Sequence, residues 1–334
     1  MSNKLVIIAD DLSGALDTAA PFSSAPGGVV VFTKPKAMRN IINESVLKAD
    51  VIAISTRSRE MSAEAARAAV DNLLKYVPKG VRIFKKIDSR MKGNIEAELD
   101  PLKGDMLVVP AVPEFGRVVC EGQVQGFGVP KPISIAERLG SHAANSLIPD
   151  TKTCEDIAFA LRSVDHRLMV GARGLALALA AQMGLDETRL PIKLDRPLVI
   201  LVGSTDKITL NQVTKLREAC PSLRYVAAYL GEIPNVDDEI ANLTLVQSLH
   251  GPKQLMLEDA SKQFAKAAVS WIKDAPSILC TGGATAEAML DVMGIECLHL
   301  LGEALPGLPV ARADNRLIVT KSGGFGAPDC FLHL

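Results

Sequence analysis

The chain has 334 residues, a length that suggests two domains at roughly 100–200 residues each. Hydrophobic residues at 48% and charged residues at 22% exclude disorder as the main state. The 37 basic and 38 acidic residues argue against a general nucleic-acid binder, and no apolar run approaches the roughly 18–20 residues of a membrane helix, so a cytoplasmic protein is expected.

Short apolar, β-branched runs alternate with helical patterns along the chain. In the first half the strand-like runs are Leu5–Ala9, Val29–Phe32, Val51–Ser55, Val81–Ile87 and Met106–Val109. Ser62–Val77 reads as a helix: Ser62 can cap it, Glu64 suits its first turn, and Ala66, Val70, Leu73 and Val77 recur at three- to four-residue spacing. Gly126–Thr153 carries Pro130, Pro132 and Pro149 and reads less regularly, with Ile135–Leu147 as a helix candidate. A helical region then ends near Met183, and the proline-containing, mixed-charge stretch Glu187–Pro197 reads as an inter-domain linker.

After it the alternation restarts. Strand-like runs fall at Leu198–Val202, Tyr225–Leu230, Leu243–Gln247, Ile278–Thr281, Cys297–Leu300 and Leu317–Thr320, and helical patterns near Thr209–Glu218, Leu257–Lys273 and Ala284–Val292. Strand–helix alternation implies parallel sheets with crossovers. The expected fold is α/β: two α/β domains, residues 1–190 and 191–334, each a mainly parallel sheet flanked by helices, with a ligand cleft between them.

The six cysteines form no C-x-x-C pair and the five histidines no H-x-x-x-H spacing, so reduced buried thiols are expected rather than a zinc site or a disulfide framework. One Trp and three Tyr leave no aromatic platform for stacking bases or sugars.

The informative residues sit at strand ends, where open α/β sheets bind ligands. Leu5–Ala9 runs into Asp10-Asp11-Leu12-Ser13-Gly14-Ala15-Leu16-Asp17, Val51–Ser55 into Thr56-Arg57-Ser58-Arg59, and Val81–Ile87 into Asp88-Ser89-Arg90-Met91-Lys92-Gly93-Asn94. Carboxylates beside Arg and Lys suit a small, acidic, hydroxylated ligand. One such cluster alone reads more readily as a helix cap or a solvated loop; three on one sheet edge favour a site.

In the second half three strands end in small residues: Gly203-Ser204-Thr205-Asp206, Thr281-Gly282-Gly283-Ala284-Thr285 and Lys321-Ser322-Gly323-Gly324-Phe325-Gly326. Glycine lets backbone approach a phosphate, and N–H groups at a helix start favour an anion, so a nucleotide phosphate site is expected. The P-loop pattern G-x-x-x-x-G-K-[ST] and the protein-kinase H-R-D and D-F-G set are missing.

With these blocks the chain resembles the four-carbon acid sugar kinase family. Further blocks matching in family order are Lys85-Lys86-Ile87 before Asp88, Val202-Gly203-Ser204 with Thr209 and Gln212, and Pro306-Gly307 before Lys321. The resemblance implies phosphorylation of the terminal (C4) hydroxyl of a sugar acid such as D-threonate, D-erythronate or 3-oxo-tetronate, with ATP and an accompanying Mg²⁺. It also implies an N-terminal domain for the sugar acid and a C-terminal domain for ATP. Carried over by motif, substrate would meet Asp10, Asp11, Arg57, Lys86, Ile87, Asp88, Ser89 and Arg90. The nucleotide would meet Ser204, Gly282, Gly283, Ala284, Thr285, Gly323 and Gly324. The chain departs from the family where Ala284 replaces a frequent acidic residue, Gly324 a frequent Asn, and Arg90-Met91-Lys92 a Thr-Leu-Arg run.

Asp11 and Asp88 are the candidate catalytic residues. Asp11 ranks first, because a helix N-terminus would help keep it ionised. Lys86, Arg90 or Lys321 would offset charge on the transferring group. No dedicated carboxylate cage for a metal is visible, and the expected partners are the sugar acid and ATP, with a homodimer left open. Two other readings fit the same architecture: a metal-assisted hydrolase using Asp10, Asp11 and Asp88, and a sugar-acid sensor that consumes no ATP.

Overall fold

A computed structural model describes residues 4–40, 48–163, 168–185, 190–229, 233, 241–249 and 257–334. The chain divides into two compact units, Met1–Arg189 and Leu190–Leu334.

In the first unit the strands β1 (Leu5–Ala9), β2 (Val29–Phe32), β3 (Val51–Ser55), β4 (Arg82–Lys86) and β5 (Met106–Val109) follow the apolar runs closely. Parallel strands covered on both faces need apolar side chains in both directions, which is why these segments read as unbroken runs. β6 (Arg117–Cys120), β7 (Gln123–Gly126) and β8 (Ile133–Ser134) form a separate antiparallel meander. β9 (Ser146–Leu147) and β10 (Leu168–Gly171) complete the main sheet in the order β2-β3-β1-β4-β10-β5-β9, every neighbour parallel. β1 is an interior strand, Ile7 opposite Ala53 on one side and Phe84 on the other.

The helices of this unit are α1 (Leu12–Ala19), α2 (Pro35–Asn40), α3 (Ala63–Leu74), α4 (Ile95–Leu99), α5 (Ile135–Leu139), α6 (Cys154–Ser163) and α7 (Arg173–Gln182). α3 forms as its spacing predicts: the Ser62 hydroxyl accepts from Ala65 N at 3.3 Å, and Ala66, Val70 and Leu73 are the buried face.

Three readings are corrected here. The helical region before Met183 contains β10 between α6 and α7, because Leu168–Gly171 is a short apolar run flanked by helical sequence. The helix expected over Ile135–Leu147 stops at Leu139, where Gly140 adopts φ 55°, and continues as a 3₁₀ turn and β9. The meander of β6 to β8 was not expected at all, since its strands are short and half-polar.

In the second unit β11 (Leu198–Val202), β12 (Arg224–Tyr229), β13 (Leu243–Leu249), β14 (Ser277–Thr281), β15 (Cys297–Leu305), β16 (Leu308–Ala313) and β17 (Arg316–Lys321) are ordered β12-β13-β11-β14-β17-β16-β15. The first five in that order are parallel and the last two antiparallel. β16 is a further correction: Pro309 and the preceding Pro306-Gly307 turn disguise a strand that pairs with both neighbours. Of the Tyr225–Leu230 run, Leu230 lies outside the described residues.

Helices α8 (Lys207–Ala219), α9 (Leu257–Ile272) and α10 (Gly283–Val292) follow the predicted positions. The core gathers Ile200, Val213, Leu216, Leu279, Val319 and Phe331. Of the stretch read as a linker, residues 187–189 lie outside the described residues. The rest is not a free tether, because Ile192 and Leu194 pack against this core and Ile192 N donates to Glu303 O at 2.8 Å. No described helix is long and apolar enough to cross a membrane, and the six cysteines are free thiols. Burial pushes the Cys280 thiol up to about 12.

Candidate functional site

At the carboxyl edge of the first unit's sheet, β1 ends in Asp10 and Asp11, β3 in Thr56 to Arg59, and β4 in Lys86 to Asp88. Because β1 is paired with both β3 and β4, these three ends are neighbours, and Arg59 binds them together. Its guanidinium grips Asp10 bidentately (Nε to Oδ2 2.7 Å, Nη2 to Oδ1 2.8 Å), reaches Asp11 (Nη1 to Oδ2 3.0 Å, Nη2 to Oδ1 3.2 Å), and lies 3.8 Å from Asp88 Oδ2. Burial alone would raise the Asp10 carboxyl, but the charges of Arg59, Lys85 and Lys86 hold it well below the usual carboxylate range.

Asp11 is the N-cap of α1. Its Oδ1 accepts from Gly14 N at 2.8 Å and its Oδ2 from the Ser13 hydroxyl at 2.8 Å, so with Arg59 both oxygens are fully engaged. Asp88 is different. Its Oδ1 accepts from Arg90 N at 2.8 Å, while Oδ2 has no hydrogen-bond donor among the described residues, and 15% of the side chain is exposed. Burial would raise its carboxyl, but Arg59, Lys86 and the Arg90 amide together lower it, which keeps it ionised at neutral pH. Asp11 thus has both oxygens engaged, whereas Asp88 keeps one without a hydrogen-bond donor among the described residues.

The Lys86 ammonium has no hydrogen-bond partner among the described residues, although the residue is only 5% exposed. It faces Gly14 beside Asp11: a Cβ on Gly14 would come 2.8 Å from Lys86 Nζ and 2.5 Å from Asp11 Oδ1. Arg57 sits half-buried at φ 56°, its Nε donating to Thr33 O at the end of β2 at 2.7 Å. Ile87 turns its side chain into the core, so only its backbone lies at this edge. The Ser89 hydroxyl accepts from Arg117 Nη1 at 2.6 Å, and Arg90 is half-buried beside it.

Sequence reasoning missed Arg117 and Arg173 and left Arg59 out of the site. Arg117 ties the β7 end to Ser89 through Phe127 O, and Arg173, at the start of α7, pairs with Glu114 and with Asp17 at 3.3 Å. A strand-end signal was available for Arg59, next to Arg57. Arg117 and Arg173 lie in segments whose strands were themselves not foreseen.

In the second unit the three glycine-containing turns follow β11, β14 and β17, which are adjacent in the order β11-β14-β17. They converge on Ser204. A Cβ on Gly323 would come 2.2 Å from Ser204 Oγ, and one on Gly282 would face Ser204 Cβ at 3.6 Å. Gly282 holds φ 88°, a conformation that side-chain-bearing residues rarely adopt, and as N-cap of α10 it leaves that helix's first N–H groups without a side-chain cap. Gly283 and Ala284 form the first turn of α10, and Thr285 is buried against Gly203. Bare amides at a helix start beside backbone that admits no side chain are what a phosphate needs.

Gly323 and the buried Gly324 belong to a turn braced from below. Thr209 Oγ1 donates to Gly323 O at 3.0 Å, Gln212 Nε2 to Gly326 O at 3.1 Å and Ala327 O at 3.0 Å, and Lys321 Nζ to Ser322 O at 2.9 Å. Lys321 is thus a strut beneath the turn rather than a cation reaching out of it. Burial pushes its ammonium down to about 8, against the opposing pull of Cys330 and Asp206.

A lowered lysine costs stability in full below its folded value, and the cost fades as pH rises from about 8 toward the ordinary 10.5. Relative to Lys321→Met, the native chain is expected to gain about 2 kcal/mol between pH 7.5 and 9.5, read by denaturant unfolding of both. Parallel pH responses of the two proteins would contradict a buried, depressed lysine.

The turns at Ser204, Gly282 and Gly323 thus fit a nucleotide polyphosphate. The described residues hold no group of three or more His, Cys, Asp or Glu arranged for a metal ion, and Asp206 at these turns spends Oδ1 on Ile208 N. They do not form a carboxylate cage for a resident magnesium ion.

Residues 5–134 match the model of a sugar-binding N-terminal domain, and residues 231–331 that of a nucleotide-binding C-terminal domain. Over 98% of its length the chain is 28% identical to a D-threonate kinase of Cupriavidus necator, covering 96% of that protein. It is 24% identical to a 3-oxo-tetronate kinase of Methylobacterium radiotolerans, with 99% of this chain and 98% of the relative aligned. A crystal structure from Salmonella typhimurium LT2 shares the fold, with a TM-score of 0.73 at 19% identity over 99% of this chain and 98% of that one.

Proposed function

The chain belongs to the four-carbon acid sugar kinase family, and on that premise we propose that it uses ATP to phosphorylate the terminal hydroxyl of a four-carbon sugar acid. The observation that carries this reading is the chemistry of the two sheet edges. One gathers three aspartates around Arg59, beside a buried Lys86 that has no hydrogen-bond partner among the described residues; the other gathers three glycine-containing turns around Ser204.

In this reading Arg57 binds the substrate carboxylate, and Ser89 and the backbone at Ile87 and Arg90 meet its hydroxyls. Asp88 Oδ2 orients the attacking hydroxyl and takes its proton as the bond to phosphorus forms. Lys86 offsets the negative charge that builds on the transferring phosphoryl group. Asp10 and Asp11 hold Arg59 and the start of α1 in place. Ser204 and the backbone of Gly282, Gly283, Ala284, Gly323 and Gly324 bind the phosphates, with Thr285 packed beneath them. Phosphoryl transfer then rests on positioning and charge neutralisation.

A coupled ADP-release screen over C4 and C5 sugar acids tests the proposal. ADP formation that depends on a C4 acid such as D-threonate or 3-oxo-tetronate is the expected outcome. Binding of such an acid without ADP formation would mark a sensor instead.

Recognition of the acid makes its own prediction. A desolvated Arg–carboxylate contact contributes about 1.5–3 kcal/mol, so Arg57→Ala should lower kcat/KM for the acid at least about tenfold. Activity on an uncharged C4 polyol should change much less. Equal proportional losses for acid and polyol would show that Arg57 does not read the carboxylate.

A further inference from the structure

Beside the aspartate–arginine cluster lies a second set of polar side chains to which no ligand contact is assigned. Glu98, on α4, is 1% exposed, and Lys85, on β4, is fully buried. Lys85 Nζ pairs with Glu98 Oε2 at 2.8 Å and also donates to Lys86 O at 3.0 Å, the carbonyl at the end of β4. The other Glu98 oxygen, Oε1, accepts from the Ser58 hydroxyl in a short contact. Ser58 Oγ lies 2.5 Å from Thr56 Oγ1, which donates to Ala9 O at the end of β1 at 2.9 Å. From the far side, Asn94 Nδ2 donates to Ser58 O at 3.0 Å and to Met61 O at 2.9 Å.

One carboxylate therefore links the ends of β1, β3 and β4, the three strands that carry the candidate site. The segment it fixes, Thr56 to Arg59, includes Arg57 at φ 56°, a left-handed conformation that non-glycine residues keep only when their surroundings determine it. A buried ion pair adds little net stability against an apolar pair of similar volume, so stability alone gives weak reason for placing Lys85 and Glu98 here. Holding a strained arginine in one orientation gives a stronger one.

The geometry points to Glu98, acting through Ser58, as a positioning residue that holds Arg57 where it reads the substrate carboxylate. The inference rests on the reading of Arg57 as the carboxylate-binding residue. Ser58 supplies the direct handle, because removing its hydroxyl cuts the tether while leaving the Lys85–Glu98 pair in place.

The test is a double-mutant cycle of Ser58→Ala with Arg57→Ala, assayed by KM and kcat for the sugar acid and by ATP binding. Loss of one hydrogen bond in the tether should raise KM for the acid about three- to tenfold in the native background. The kcat and the ATP affinity should stay within about twofold, as expected of lost uniform binding. In the Arg57→Ala background Ser58→Ala should change KM no further, since the group it positions is gone. The same loss in both backgrounds would overturn the inference while leaving Arg57 its role. If Arg57→Ala itself leaves kcat/KM for the acid unchanged, the reading of Arg57 falls and the inference with it.

Glu98→Leu provides the second arm. It removes the acceptor of the Ser58 hydroxyl and leaves the buried Lys85 ammonium unpaired, so Lys85→Met added to it should restore the melting temperature. Restored stability with an unrestored KM supports positioning through Ser58. KM recovering in step with the melting temperature would reduce Glu98 to a fold-stabilising residue and overturn the assignment.

Discussion

Asp88→Asn is expected to lower kcat by about 10²-fold or more, the low end of general-base contributions, while sugar-acid affinity stays within severalfold. Asn keeps the shape of Asp and can still accept from the Arg90 amide through its oxygen, which isolates the loss of the basic lone pair. The expectation follows from the division of labour among the aspartates. Asp10 gives both oxygens to Arg59, and Asp11 gives both to Arg59, Gly14 N and Ser13, whereas Asp88 Oδ2 is left 3.8 Å from the nearest guanidinium nitrogen. An interaction used mainly as the transition state forms appears in kcat rather than in ground-state binding. Asp11→Asn, which retains the α1 cap acceptor, should cost less in kcat than Asp88→Asn. Steady-state kinetics with calorimetric binding of the acid decides the order; near-normal kcat in Asp88→Asn would remove it as the base.

Substituting the glycine turns should act on the nucleotide alone. Gly323→Val places a side chain where Ser204 Oγ already lies 2.2 Å from the Cβ position, and Gly282→Val forces a branched residue to φ 88° at the open start of α10. A side chain where the phosphate must approach the backbone should lower ATP affinity about tenfold or more in either variant, a loss of about 1.4 kcal/mol or more. Binding of the sugar acid, which this account places on the first unit, should be unchanged. Unaltered ATP affinity in both variants would dissociate the turns from the nucleotide.

Much of this arrangement is legible in the sequence because buried parallel strands announce themselves. Leu5–Ala9, Val51–Ile54 and Leu198–Val202 are apolar throughout, and each stops abruptly at polar or glycine residues that have no reason to interrupt a core. The three polar clusters of the first unit and the three glycine turns of the second were read from those interruptions, and the structure makes each set neighbours on one sheet edge.

What sequence leaves hidden is pairing. The helix start at Asp11 is legible along the chain, but only the placement of Arg59 shows which carboxylate oxygens of Asp10, Asp11 and Asp88 are already engaged. Lys321 reads as a cation at the end of a strand, but its ammonium turns under the following loop. Glu98 carries no local signal: within Ile95–Leu99 it is one of two acidic residues, and only burial against Lys85 and Ser58 sets it apart from Glu96. β10 and β16 were missed for a related reason, since four residues beside helical sequence and a strand containing Pro309 acquire their conformation from their partners in the sheet.

The most direct test of the central claim is phosphorus NMR of the chain incubated with ATP, magnesium and a four-carbon sugar acid. The expected result is a new phosphomonoester resonance, split by the two methylene protons of the terminal carbon and growing in step with ADP. Phosphate released only as the inorganic ion, or an ester on a secondary hydroxyl, would contradict it.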